Sequence, residues 1–176
     1  MTNVLTAGIV PETESTENKR EEHPLRVLFV CTGNTCRSPM AAAIFNDMAK
    51  KKRPGAMALS AGLFARPGDP VTPMAVKVLA EAGVVPQEPD PYPTHVAHPV
   101  EASWVRDADA VVAMSDRHAM ELLFRYPEAA GKISTLPFEI PDPFGGDEAV
   151  YRACFDKLQY AVALRFFTGD ADNRET

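Results

Sequence analysis

Along this chain, short apolar runs alternate with segments whose apolar positions recur at helical spacing. The run LRVLFV at 25–30 lacks any polar alternation, which predicts a strand covered on both faces, as in a parallel sheet. Ser38-Pro39 then supplies a cap residue and a first-turn proline, predicting a helix from about 39 to 51. The same order returns downstream. AMALSAG at 56–62 predicts a second strand, and Thr72-Pro73 opens a helix that stops near Gly83. ADAVVAM at 108–114 predicts a third strand, with SDRHAMELLFRY as the helix after it and His118 on that helix's surface. KISTL at 132–136 predicts a fourth strand, and the apolar spacing from Asp147 to about Phe166 a closing helix. The intervening PQEPDPYPTHVAHP at 86–99 holds too many prolines for regular structure. Strands alternating with helices imply an α/β fold built on a parallel sheet, whose ligand site lies beyond the carboxyl ends of the strands.

Composition narrows this picture. A chain of 176 residues with 45% hydrophobic content suits one domain, expected over 25–167. Residues 1–24 are rich in Glu, Thr, Asn and Lys and show no period, so they are expected to form a disordered tail, with a second short tail at 168–176. The net charge of −6 carries no basic stripe, which speaks against nucleic acid and acidic membrane surfaces but leaves room for one positive pocket. The first residues lack the basic start and sustained apolar stretch of a signal peptide, and no run approaches the roughly 18 apolar residues of a membrane span. Three cysteines do not suggest a disulfide scaffold, so a cytoplasmic location is expected.

The candidate chemistry sits where the first strand gives way to the first helix, in VCTGNTCRSP. A loop between a strand end and a helix N-terminus turns several backbone N–H groups inward, and with the helix dipole these form a cradle for a dianionic phosphate. Gly33 and Asn34 tolerate the left-handed backbone such a loop needs. Arg37 can clamp two phosphate oxygens, and the positive field is expected to lower the pKa of Cys31 and make it a nucleophile. Ser38 can donate a hydrogen bond to the resulting thiolate. Expulsion of a leaving group also requires a proton donor, for which Asp142 stands on the stiff loop IPDPFGG after the fourth predicted strand. The four histidines show no zinc-ligand spacing with the cysteines, and no metal site is expected.

These residues resemble the low-molecular-weight protein tyrosine phosphatase family from Val27 to about Ala163, on the strength of VCTGNTCRSPMA, SAGLFA, ADAVVAM and DPFGG. The resemblance implies a four-stranded parallel sheet flanked by helices on both faces and a protein phosphatase needing no metal or cofactor. It implies that Cys31 attacks phosphorus to form a phosphocysteine, that Arg37 and the loop Thr32, Gly33, Asn34, Thr35, Cys36 and Ser38 bind the phosphoryl group, and that Asp142 protonates the leaving group. Within the family the chain is most similar to the bacterial arginine phosphatases. Tyrosine-directed members carry a large aliphatic residue at the position of Thr35 and a second aromatic where Gly145 follows Phe144, so Thr35 and Phe144 are the expected specificity residues. The implied substrate is a phosphorylated protein, with phosphoarginine favoured and phosphotyrosine the alternative. An arsenate reductase of related type would need further cysteines in AMSDRHAM, where there are none, and a non-catalytic phosphoprotein-binding module would not need Cys31, Arg37 and Asp142 together.

Overall fold

The computed structural model describes residues 23–168. Four parallel strands stand in the order β2-β1-β3-β4, with β1 at Arg26–Cys31, β2 at Met57–Gly62, β3 at Ala110–Ala113 and β4 at Ile133–Thr135. Five α-helices accompany them: α1 (Arg37–Lys52), α2 (Pro73–Glu81), α3 (Ala102–Asp107), α4 (Asp116–Arg125) and α5 (Glu148–Phe166). The expected α/β sheet with helices on both faces is therefore present, while the expected tails at 1–24 and 168–176 lie outside the described residues except for 23, 24 and 168.

The unbroken apolar run of β1 serves two cores at once. Val27, Phe29 and Cys31 face α1, α2 and α5, packing with Ile44, Phe45, Leu79, Phe155 and Leu158. Leu28 and Val30 face the other way, toward Val105 of α3 and Leu122 of α4. Both sets are almost fully buried, and each buried aliphatic side chain contributes roughly 1.5–3 kcal/mol. Phe29, Phe45 and Phe166 meet edge to face at centroid distances of 5.2–6.2 Å, which locks the last helix onto the first.

Some boundaries differ from the sequence expectation, and three short elements were not expected. Helix α1 begins at Arg37, with Cys36 in the cap position, so Ser38 lies inside the first turn rather than capping it. The third strand is shorter than 108–114, because the amide of Ala108 closes α3 on the Trp104 carbonyl at 3.1 Å. Helix α3 itself, six residues long, is too short to show a hydrophobic period, and the 3₁₀ turns at Tyr92–Thr94 and Pro127–Lys132 are shorter or polar.

The outer edge of β2 is closed at its end by backbone bonds of Gly62 to His98 and Val100, at 2.8 and 3.0 Å, and near its start by a side chain. Asn46 of α1 donates from Nδ2 to the Ala58 carbonyl at 3.0 Å and accepts the Ala58 amide on Oδ1 at 2.7 Å, supplying the two bonds a further strand would make. Asn46 is buried, so Asn46→Ala leaves two peptide groups without partners. We expect a loss of about 2 kcal/mol in urea unfolding, with little change for a substitution at exposed Lys50.

Candidate active site

The loop from Cys31 to Arg37 joins the carboxyl end of β1 to the start of α1, and its shape turns on Asn34. Asn34 is fully buried and takes the left-handed backbone, φ 58°, alone among the non-glycine residues described. That conformation costs an L-residue about 1–2 kcal/mol and persists only where its surroundings hold it. Every polar group of Asn34 is engaged. Its Nδ2 donates to Ser38 Oγ and to Ser60 Oγ, both at 2.9 Å, while Oδ1 accepts the His98 amide at 2.8 Å. Its carbonyl accepts His95 Nε2 at 3.0 Å, and its amide donates to Cys31 Sγ at 3.3 Å. His95 reaches Asp90 through Nδ1 at 2.6 Å.

The same contacts orient the groups around the sulfur. Ser38 Oγ already accepts from Asn34, so its own proton goes to Cys31 Sγ at 2.9 Å, with the Ala61 carbonyl farther away at 3.4 Å. Gly62 of β2 permits the close approach of this loop. A Cβ there would come within 2.6 Å of the Thr32 carbonyl oxygen, a distance no side chain can occupy, and would sit tightly at 3.0 Å from the Asn34 nitrogen.

Arg37 is buried, and its guanidinium spans the two halves of the site. Nη1 donates to the Ile140 carbonyl at 3.2 Å; Nη2 donates to Asp142 Oδ2 at 3.0 Å and to Thr32 Oγ1 at 3.5 Å. Asp142 also accepts the Phe144 amide on Oδ1 at 3.2 Å, a local turn that holds the DPFGG loop over the pocket. The hollow so formed measures about 270 Å³ and is lined by Cys31, Thr32, Gly33, Asn34, Thr35, Cys36, Arg37, Asp142 and Phe144, which brings together the residues singled out in the sequence apart from Ser38, which lies beneath them against the sulfur. Phe64, Arg66 and Asp69 complete the wall.

One electrostatic expectation is not met. Burial is the largest influence on Cys31 and pushes its thiol up, while the Ser38 hydroxyl and amide, the Arg37 charge and the Asn34 amide pull the other way and are outweighed. The donors inferred from the sequence are present; the cost of enclosing the sulfur exceeds them. Cys36 points elsewhere, its sulfur 3.3 Å from the Tyr151 hydroxyl. Cys154 is buried in α5 and pushed up to about 12 by burial, which keeps it a protonated, unreactive thiol.

Sequence reasoning missed Ser60, Asp90, His95, His98 and Gly62, and it misplaced His118. That residue is buried rather than on the helix surface, because the ring turns back under its own N-terminus. Nδ1 lies 2.9 Å from Ser115 Oγ and Nε2 lies 2.8 Å from Thr32 Oγ1. These partners stand 26 to 86 residues from the loop, beyond any local spacing. Burial and the charges of Arg37 and Arg117 hold His118 down to about 4 from 6.5, with Asp142 opposing.

A model of the low molecular weight phosphotyrosine protein phosphatase family matches residues 26–165. The chain is 40% identical over 146 residues to a protein-arginine-phosphatase of Geobacillus stearothermophilus, covering 79% of this chain and 92% of that one. It is 35% identical over 144 residues to the low molecular weight protein-tyrosine-phosphatase PtpB of Staphylococcus haemolyticus, covering 78% and 95%. Among solved structures, a YwlE arginine phosphatase mutant with a phosphorylated active-site serine in place of cysteine superposes with a TM-score of 0.72 at 32% identity, covering 78% and 91%.

The His118 shift fixes the sign of a pH effect. The unfolded chain takes up this proton near 6.5 and the folded chain only near 4, so the contribution is harmless above about 6.5 and erodes stability as pH falls toward 4. In denaturant unfolding at neutral pH and at about pH 4.5, His118→Gln should lose less stability on acidification than the wild type. Equal losses would assign the acid sensitivity to other groups.

Proposed function

The chain belongs to the low molecular weight phosphotyrosine protein phosphatase family and is a cysteine-dependent protein phosphatase acting on phosphorylated proteins; from that premise we propose that it hydrolyses phosphoarginine, with Cys31 as nucleophile, Arg37 as phosphoryl clamp and Asp142 as general acid. The single observation carrying these roles is their convergence on one hollow: sulfur at its floor, guanidinium on its wall and a carboxylate held at its mouth by Arg37 and the Phe144 amide.

The phosphoryl group enters as a dianion and binds the amides of Thr32 to Ser38 and the Arg37 guanidinium, replacing water with fixed donors. Cys31 attacks as the thiolate. Because burial holds the resting thiol up, its proton leaves only as the substrate enters, and the phosphoryl dianion is the base at hand. As Arg37 turns to the phosphoryl oxygens, the proton taken up there passes to the Asp142 carboxylate; the S–P bond then forms as the bond to the leaving nitrogen breaks, and Asp142 hands that proton to the nitrogen so that the side chain departs as guanidinium. Water, activated by the Asp142 carboxylate so produced, then cleaves the phosphocysteine, and Ser38 receives the returning sulfur charge through its hydroxyl. The phosphorylated serine in the YwlE mutant supports a phosphoryl-enzyme step of this kind.

Phosphoarginine is favoured by the polarity of the mouth. Thr35 presents a short hydroxyl-bearing side chain where the family resemblance associates a large aliphatic residue with tyrosine substrates, and Asp69 and Asp142 line the same hollow, with Arg66 beside them. A guanidinium group is cationic and rich in N–H donors, so these acceptors suit it better than they suit an aryl ring. The three cysteines are all buried and unpaired, which fits action in the reducing cytoplasm.

Two variants test the reading. Cys31→Ser should abolish hydrolysis of p-nitrophenyl phosphate while the protein remains folded; retained activity would overturn the nucleophile. Wild type should favour phosphoarginine over phosphotyrosine peptides, and Thr35→Ile should lower the ratio of their kcat/KM values at least ~10-fold, equivalent to ~1.4 kcal/mol. A wild type that prefers phosphotyrosine, with a ratio indifferent to Thr35→Ile, would assign it to the tyrosine-directed members.

A further inference from the structure

His118 takes no part in the steps above, yet it is the one buried ring that touches the nucleophile loop from the opposite side of the sheet. Its protonation pattern follows from its partners. Ser115, buried at the N-terminus of α4, accepts the His118 backbone amide on Oγ at 3.4 Å and lies 2.9 Å from Nδ1. Among the described residues, Nδ1 is the only acceptor within reach of the Ser115 hydroxyl proton. A buried hydroxyl that donates nowhere is costly, so Ser115 donates to Nδ1 and the ring carries its proton on Nε2. Nε2 therefore donates to Thr32 Oγ1 across 2.8 Å.

Thr32 now receives two donors, Nε2–H of His118 and, at a longer 3.5 Å, Nη2–H of Arg37. A hydroxyl has two acceptor positions and one proton. With both acceptor positions taken, the Thr32 proton is turned away from His118 and Arg37, and it has no protein acceptor among the described residues. Thr32 lines two spaces: the phosphoryl hollow and an adjoining cleft of about 580 Å³ that runs between Phe64, His118, Glu139 and Asp142. An acceptor-only group at the junction of the two would complete it, and a phosphoryl oxygen is such a group.

We propose that His118 is a positioning residue which, by donating from Nε2, fixes the Thr32 hydroxyl as a hydrogen-bond donor facing the phosphoryl group on the Asp142 side of the hollow. This rests on the cysteine phosphatase reading of the site but assigns a side-chain role that the loop amides do not cover. The ring can do this only while neutral, since a proton on Nδ1 would displace the Ser115 hydroxyl. Burial, Arg37 on α1 and Arg117 on α4 all oppose that second proton, and only Asp142 on the DPFGG loop favours it. Removing the donor takes away one hydrogen bond at a partly open rim, a smaller loss than for an enclosed oxyanion donor.

The test combines kinetics with a spectroscopic readout. In p-nitrophenyl phosphate hydrolysis, Thr32→Val and His118→Leu should each lower kcat about tenfold with little change in KM, and the double variant should be no slower than the slower single. His118→Gln, which keeps an N–H near the position of Nε2, should stay within about threefold of wild type. Independent losses multiplying to about 100-fold would overturn the proposal, as would a His118→Gln enzyme as slow as His118→Leu. In ¹⁵N-histidine NMR of the folded wild type and of Cys31→Ser, the His118 proton should reside on Nε2, and its resonance should shift when inorganic phosphate is added. A proton on Nδ1 would overturn the proposal without any turnover being measured, so failure of the phosphatase reading and failure of this one are separable. The wild-type spectrum decides even if His118→Leu does not fold.

Discussion

A single residue in an unfavourable backbone region holds the active loop open. Asn34 takes φ 58° without being glycine, and the cost is offset by five hydrogen bonds that reach it from the loop, from β2 and from the segment before α3. Because the bonds come from the loop itself, from β2 and from the segment holding His95 and His98, the loop cannot relax without disturbing the sheet edge and the proline-rich segment together. The cradle for phosphate is thus shaped before substrate arrives, and binding energy is not spent on arranging it.

The same enclosure that gives the loop its rigidity works against the nucleophile. A sulfur surrounded by protein is easier to keep neutral than charged, and Arg37, Ser38 and Asn34 do not fully compensate. Arg37 meanwhile pairs with Asp142, the two opposite charges across the hollow neutralising one another at 3.0 Å. Asp142 is half exposed, so this pair is screened and readily exchanged for a phosphoryl group that offers the guanidinium two oxygens. In the proposed mechanism, the substrate dianion both releases Arg37 from Asp142 and finds the thiol proton close by, which couples binding to activation of Cys31.

The fold was legible where local chemistry speaks for itself. The unbroken run of β1 foretold a strand buried on both faces, and Thr72-Pro73 and Asp147 marked helix starts that the structure retains. Cys31, Arg37 and Asp142 could be singled out because the proposed nucleophile and clamp share one short loop and the proposed acid sits on a second loop with its own proline signature. What stayed hidden depends on distance along the chain. His95 lies in a segment that reads as irregular, and Ser60 reads as an ordinary strand residue; only the crossover connections bring them to Asn34. The misreading of His118 has a local cause. Its neighbours Arg117 and Met120 are exposed, so the amphipathic pattern of α4 does not show that this ring folds back toward Ser115. The raised thiol of Cys31 was likewise invisible, since burial is a property of the folded surroundings rather than of the loop sequence.

The Asn46 contact has a bearing on how the molecule behaves at high concentration. An open parallel sheet presents two borders, and unpaired peptide groups along a border invite another copy to add a strand. At one border β4 is only three residues long, too short a template for such addition. At the other, β2 is six residues long, and the carboxamide of Asn46 occupies the outward N–H and C=O of Ala58 near its start. A side chain from the first helix thereby blocks at its start the longer of the two borders along which copies of this protein could zip together.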